Sequence, residues 1–295
     1  MFIETRLQGK KKKYYLIHPY RIGGKVKRVS RYLGSDLTKK ELEKLRRRAE
    51  KLLLEHIKEK HLFELSDEEI RELKKYEKKI NIEHLHKSLD WNKFTKEFTY
   101  NTNAIEGSTV SYKEAEEIIE KEKTPKDYDE IETLNVAEAL DFVRKTKQKL
   151  SLGLIKKIHY ICFKGTKEFT GKFRNVEVAV VDAFGNMVHR GAPAEDVEDL
   201  LKELIDWYKK NNKKYPPLLL AALVHNQFEN IHPFQDGNGR VGRLLLNYVL
   251  LKKNYPPINI KLKNRREYYK VLQNFERKGD IKSTIRFLIS QYRSK

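Results

Sequence analysis

The chain has 295 residues, 39% of them hydrophobic, which suffices for a sizeable core and for one or two domains. Its formal net charge of +20 favours acidic partners without naming one, and a merely solvated lysine-rich surface is equally compatible with it. The longest wholly apolar run, 218–224, is too short to span a bilayer. The single cysteine, Cys162, excludes an intramolecular disulfide, fits a reducing compartment, and reads as buried and inert between Ile161 and Phe163. The first six residues build no signal peptide, so the cytoplasm is the expected location, with no membrane partner.

Residues 1–34 carry ten Lys and Arg and one acid, Glu4, a net of +9. Strands are expected over 14–20 and 26–33, joined by a tight turn at Gly23-Gly24, giving a small basic β unit. Tyr14, Tyr15, Tyr20 and Tyr32 stand among the cations. Such a mixture suits phosphates and exposed bases, so weak nucleic-acid contact through 1–34 is one expectation and docking of a target protein another.

A helix is expected over 36–60, where Leu37, Leu42, Leu45, Ala49, Leu52, Leu53 and Ile57 recur at helical spacing. Ser66 and Glu69 form a capping pair that opens a second helix through Ile70, Leu73, Tyr76 and Ile80. A further helical stretch runs over 82–99. Beyond residue 100, helices are expected over 111–121 and 130–149, around 155–162 and 200–207, and over 218–228, 241–250, 265–275 and 281–292. Residues 176–190 break this rhythm: Val176, Val178, Val180 and Val181 are β-branched and Gly185-Asn186 offers a turn, so a β-hairpin is expected there.

The chemistry concentrates in twelve residues, His232-Pro233-Phe234-Gln235-Asp236-Gly237-Asn238-Gly239-Arg240-Val241-Gly242-Arg243, held between two apolar helices. Gly237 and Gly239 let backbone amides converge on an anion, and the helix that follows aims its N-terminal amides at the same place. Arg240 and Arg243, three apart, share a helix face and suit a polyphosphate. Asp236 is a hard oxygen ligand suited to Mg²⁺, and His232 can take a proton from a hydroxyl. His225, Glu229 and His232 also invite a zinc-hydrolase reading. Their order lacks His-Glu-x-x-His, however, and a hydrolase leaves the paired arginines unexplained.

This segment resembles the signature of the Fic (Fido) family, His-x-Phe-x-Asp/Glu-Gly-Asn-Gly-Arg-x-x-Arg, at every specified position. The resemblance implies a mainly α fold: a Fic-type helical core with a β-hairpin flap, covering about 90–292, beside the basic β unit. It implies a protein adenylyltransferase that uses ATP and Mg²⁺ to place AMP on Ser, Thr or Tyr of a target protein or of itself. His232 would be the general base and Asp236 the metal ligand. Gly237, Asn238 and Gly239 would hold the α-phosphate, Arg240 the phosphates and Arg243 the γ-phosphate. Tyr268 and Tyr269 would lie near the adenine, unless they are plain core aromatics. The hairpin would align a target by strand addition.

Upstream, Thr102-Asn103-Ala104-Ile105-Glu106-Gly107 resembles the family's inhibitory motif, in the class where it precedes the core. A glutamate paired with Arg243 would occupy the guanidinium that the γ-phosphate needs and misalign the nucleotide. The expected organisation is therefore a β unit over 1–35, a helical arm or linker over 36–99 and a catalytic core with its inhibitory helix over 100–295. A homodimer controlling the brake and removal of AMP are further family expectations. The alternative of another class is a nucleic-acid-binding regulator with a nucleotide-sensing core; the intact His232 and Arg243 argue against it.

Overall fold

The computed structural model describes residues 1–9, 11–22, 25–61, 65–78, 80–181 and 187–293. Contacts divide the chain into two units, Met1–Leu65 and Ser66–Lys295. This division groups the first long helix with the sheet, and the next three helices with the core, where a separate helical arm over 36–99 was expected.

The first unit is a three-stranded antiparallel sheet, β1 (Phe2–Gln8), β2 (Lys11–Ile22) and β3 (Lys25–Ser35), in that spatial order, followed by α1 (Lys39–His61). β1 was not expected. It pairs with β2 from Phe2↔Ile17 to Gln8↔Lys11. The Gly23-Gly24 turn lies outside the described residues. One sheet face packs Leu16 and Leu33 against Ala49 of α1, with Met1, Ile3, Tyr14 and Val29 around them. Successive residues of a strand face opposite ways, and the other face carries Tyr15 and Tyr32, ring centres 5.3 Å apart, with the Arg6 guanidinium 4.4 Å over Tyr15. α1 starts at Lys39 rather than at Asp36. Thr38 and Glu41 form its capping pair, while Asp36 accepts a bond from the Lys12 amide at the strand exit.

In the second unit α2 (Asp67–Glu77) opens on Ser66 and Glu69 as expected. The expected stretch 82–99 is instead two helices, α3 (Ile82–Lys87) and α4 (Trp91–Ile105). Asp90 accepts bonds from the Asn92 and Lys93 amides, and such a cap starts a new helix. α5 (Tyr112–Ile119) and α6 (Tyr128–Lys145) follow, α6 ending four residues early because Thr146 turns extended. Next come α7 (Leu152–Phe163), the flap strands β4 (Ala179–Val181) and β5 (Met187–Arg190), α8 (Val197–Asn211), α9 (Pro217–Ile231), α10 (Asn238–Lys252), α11 (Arg265–Lys278) and α12 (Ile281–Arg293). The flap's Gly185-Asn186 turn lies outside the described residues.

α9 and α10 form the middle of this unit. Residues 218–228 are all buried, as a helix apolar on every side must be. α9 packs on α8, α11 and α12, and α10 on α4, α6 and α7. The six residues joining them are therefore held between rigid elements. No described helix is long and apolar enough to cross a membrane. Cys162 is fully buried, and burial pushes its thiol up to about 12, as suits an inert core residue.

Candidate active site

His232 ends α9 in the left-handed region, φ 52°. A non-glycine residue there costs roughly 1–2 kcal/mol, so its surroundings must hold it. They do: the Phe228 carbonyl accepts from the His232 amide at 2.9 Å, and the His232 carbonyl accepts from Arg174 Nε at 2.7 Å. Arg174 also donates to the carbonyls of Val176, Ala192 and Ile231, tying the flap's base to the end of α9. The ring's Nδ1 lies 3.2 Å from the Glu229 carbonyl. As a donor to that oxygen it leaves the lone pair on Nε2. Burial, reinforced by nearby His189 and Arg174, lowers His232 to about 4, so the ring is neutral at physiological pH and can accept a proton.

The loop after His232 is fastened from inside. Asn238 Oδ1 accepts from the Phe234 amide at 2.8 Å and its Nδ2 donates to the Phe234 carbonyl at 2.9 Å. Phe234 is buried and stacks on His159, ring centres 3.8 Å apart. His159 in turn meets the Asp236 carbonyl at 3.2 Å and accepts from the Gly171 amide at 2.9 Å. The Asn238 side chain thus clamps the loop, and its backbone amide heads α10 at the cavity wall. Gly237 has φ 81°, and a Cβ there would strike the Phe163 ring.

The two arginines part company. Arg243 Nε donates to Thr102 Oγ1 at 2.7 Å, and Nη2 donates to the Thr102 carbonyl at 2.9 Å and to Glu106 Oε1 at 2.7 Å. Tyr268 OH lies 3.4 Å from Nη1. Burial opposes this cation, but Glu106 and Tyr268 outweigh it and hold the guanidinium above its usual range. Arg240, expected on the phosphates, instead donates to the buried carboxylate of Glu132 on α6 and lies 4.4 Å over the Phe163 ring. It does not line the cavity. The two side chains leave the same helix face, but α6 offers one of them a carboxylate.

A cavity of about 290 Å³ opens between the loop, the flap and α11, lined by His232, Asp236, Gly237, Asn238, Gly239 and Arg243 together with Glu106, Tyr268 and Tyr269. A Cβ at Gly239 would collide with the Glu106 carboxylate, so this glycine keeps the approach to Arg243 open. A larger groove of about 810 Å³, bordered by Ile70, Lys74 and Tyr215, contains none of the loop's residues. Tyr268 is buried, with its hydroxyl 3.0 Å from His225 Nε2, so it braces Arg243 from behind; its ring still borders the cavity. Tyr269 lies at the wall, its hydroxyl 3.4 Å from the Ile105 carbonyl.

Asp236 is half exposed at the rim. One carboxylate oxygen accepts from the Gly237 amide at 2.6 Å and the other faces Lys167 at 3.2 Å. Burial opposes its charge, yet Arg240 and Lys167 keep it below the usual carboxylate range, so it is ionised. Among the described residues no three His, Cys, Asp or Glu side chains converge on a metal position. A lone ionised carboxylate beside a cavity fits Mg²⁺ that arrives with a phosphate ligand, and does not fit an all-protein cage. The zinc reading finds no support: His225 Nε2 is turned to Tyr268, and His225 Nδ1 and Glu229 are 3.9 Å apart.

Sequence reasoning missed Arg174, Glu132, His159 and Lys167, and took Thr102 only as part of a motif. None belongs to the loop, and each reaches it through a packing arrangement that spacing does not encode.

Residues 149–250 match the model of the Fic/DOC family. The protein adenylyltransferase Fic of Nematostella vectensis is 32% identical over 200 residues, 64% of this chain and 45% of that protein. That of Aedes aegypti is 30% identical over 236 residues, 73% and 41%. The chain thus spans less than half the length of these curated relatives. Among solved structures, a Fic domain-containing signalling protein of Bacteroides thetaiotaomicron superposes with a TM-score of 0.59 at 24% identity, covering 81% of this chain and 90% of that one. A Fic family protein of Desulfovibrio desulfuricans gives 0.63 at 22%, covering 76% and 70%. With the loop complete from His232 to Arg243 and the α9–α10 scaffold around it, the chain belongs to the Fic/DOC family.

Proposed function

We propose that this protein transfers AMP from ATP to a Ser, Thr or Tyr hydroxyl of a target protein or of itself, in the cytoplasm, and that Glu106 holds it idle. One observation carries the reading: a single cavity has a neutral histidine on its wall and, also on its wall, an arginine sequestered by a carboxylate from α4. The first amides of α10, at Asn238, Gly239 and Arg240, have no acceptor within the helix and form an anion seat for the α-phosphate. Asp236 would hold Mg²⁺, which when bound shields phosphate charge. Arg243, once freed, takes the γ-phosphate. The target hydroxyl gives its proton to His232 Nε2, its oxygen bonds to the α-phosphorus, and the bond to pyrophosphate breaks. Tyr269 and the ring of Tyr268 wall the nucleoside side, and the flap strands β4 and β5 offer an edge to the target backbone.

Glu106 acts by occupancy. While its carboxylate is on Arg243, a triphosphate has no guanidinium for its terminal charge and sits misaligned. A carboxylate at this wall also suits activation of water for removal of AMP, the second direction of the reading. Glu106→Gly protein with Mg²⁺ and α-labelled ATP should label itself or a target, whereas wild type labels weakly. Label that stays flat in the variant removes the brake from the proposal.

A second reading concerns residues 1–34. The Tyr15–Tyr32 pair with Arg6 stacked on it favours weak contact with single-stranded nucleic acid. Salt-dependent binding of a labelled oligonucleotide by the whole chain, lost in Tyr32→Ala, supports it; equal binding by that variant removes it.

A further inference from the structure

Glu229 is an ionisable group at this site that the proposed reaction leaves idle. It sits on the last turn of α9, its side chain is 11% exposed, and it borders the cavity. Its Oε1 is buried with no hydrogen-bond partner among the described residues. Burying a carboxyl without a partner is costly in either form, and most costly when it is ionised. Burial raises it to about 7, so both forms coexist at neutral pH.

The chain makes room for this group. A Cβ at Gly242 would run into the Glu229 carboxyl, so the glycine between the two arginines houses it. Five groups face it or act on it. His225 of the same helix presents Nδ1 at 3.9 Å, beyond hydrogen-bond distance and itself unpartnered. Arg243 of α10, Glu106 at the end of α4, His189 of β5 and Tyr268 of α11 complete the set. Arg243 Nη1 faces the Tyr268 hydroxyl at 3.4 Å, and that hydroxyl lies 3.0 Å from His225 Nε2; where it donates there, His225 carries its proton on Nδ1. Burial keeps His225 down at about 3, so it remains neutral and supplies no charge to hold Glu229 ionised. Arg243 is the permanent cation acting on Glu229 among the described residues, and Glu106 already holds it.

A polyphosphate entering this space meets carboxylates at Glu106, Glu229, Asp236 and Glu276 and only one arginine on the lining. Asp236 is used by the metal and Glu106 must leave Arg243. Glu276 is paired with His189 at 2.9 Å. Glu229 is held in the last turn of α9, and its Oε1 has no hydrogen-bond partner among the described residues. We propose that Glu229 is a proton-binding member of the nucleotide site: it takes up a proton from solvent when a polyphosphate enters, and the neutral acid then coexists with the bound anion. This rests on the nucleotide reading above and adds a residue to it. Glu229 is a positioning residue, acting through the charge it withdraws from beside Arg243.

The sign follows from linkage. If the nucleotide binds only the protonated form, wild-type affinity is full below pH 6 and falls as pH rises through about 7, roughly tenfold weaker at pH 8 than at pH 6. Calorimetric titration of the whole chain with Mg²⁺ and the imido analogue of ATP, in paired buffers of different ionisation enthalpy, reads the proton directly. At pH 7 wild type should take up about half a proton more than Glu229→Gln, and at pH 5.5 this difference should vanish. The affinity of Glu229→Gln should stay flat from pH 6 to 8, apart from any change the analogue itself contributes to both proteins. His189→Gln should keep the uptake but move it to higher pH, because His189 lowers Glu229. Uptake equal in wild type and Glu229→Gln, a wild-type affinity that is level from pH 6 to 8, or uptake absent at every pH in His189→Gln each overturns the proposal. An analogue that does not bind at all overturns the nucleotide reading itself.

Discussion

The His232 part and the Arg243 part of the cavity are built on different principles. His232 is fixed by main-chain bonds and by Arg174, and among the described residues its Nε2 is left unengaged. Arg243 is fixed by side chains and a carbonyl from α4, and its donors are engaged. In the proposed reaction the base would be ready, whereas the cation meant for phosphate is already held by Glu106. Control over such a site would act where the arginine is, by exchanging one anion for another.

The sharpest break of this comparison is His232→Ala. Loss of a general base costs about 10²–10⁴-fold in rate. Transfer should fall by that amount in the Glu106→Gly background while analogue binding, measured by calorimetry, is retained; lost binding would mean that the ring supports the loop rather than the chemistry. Next in size is Glu106→Gly alone, which should raise labelling from α-labelled ATP by about 10²-fold, the scale set by a small misplacement of reacting atoms. Arg240→Ala tests whether the other arginine is structural. Removing one partner of a buried ion pair costs about 3–5 kcal/mol, so this variant should lose denaturant stability by that order, with Glu132→Gln showing a smaller loss.

Smaller still is Thr102→Val, which removes one acceptor from Arg243 but leaves the Thr102 carbonyl and Glu106. Wild-type labelling should rise only severalfold; a rise as large as that of Glu106→Gly would move the brake from the carboxylate to the threonine. The pH profile has the mildest signature. Because His232 is depressed to about 4, the neutral base persists above that pH and is lost as pH falls through it. The turnover rate of Glu106→Gly at saturating nucleotide should be level from pH 8 down to pH 6, and a drop centred near 6.5 would show that burial does not govern this histidine.

Much of the site was legible because its information is local. Two glycines, an aspartate, a histidine and two arginines at fixed spacing between two apolar helices leave few physical uses. The contact of Glu106 with Arg243 was legible only because the loop had first been identified, and the brake read into it stands as a proposal. The flap was readable from a run of β-branched residues, although β4 begins at Ala179, later than Val176 suggested. Errors came where spacing was asked to choose a partner. Arg240 and Arg243 share a face, yet one meets Glu132 and the other Thr102 and Glu106, from helices more than a hundred residues away in sequence. Asn238 was expected at the α-phosphate; its side chain ties its own loop to Phe234, while the residue still lines the cavity. The break between α3 and α4 was missed because apolar periodicity continued through Asp90, whose side chain caps rather than continues a helix.

By itself the sequence determined the elements whose cause is local: the capped helices, the fully apolar α9, and a loop rich in anion-binding and proton-accepting residues. Only the tertiary structure decided which charges meet. A guanidinium or a carboxyl reaches several ångströms from its backbone and takes whichever partner the packing brings near. Burial then fixes that choice as a carboxylate on Arg243, a clamp at Arg174 and, among the described residues, a Glu229 oxygen without a hydrogen-bond partner.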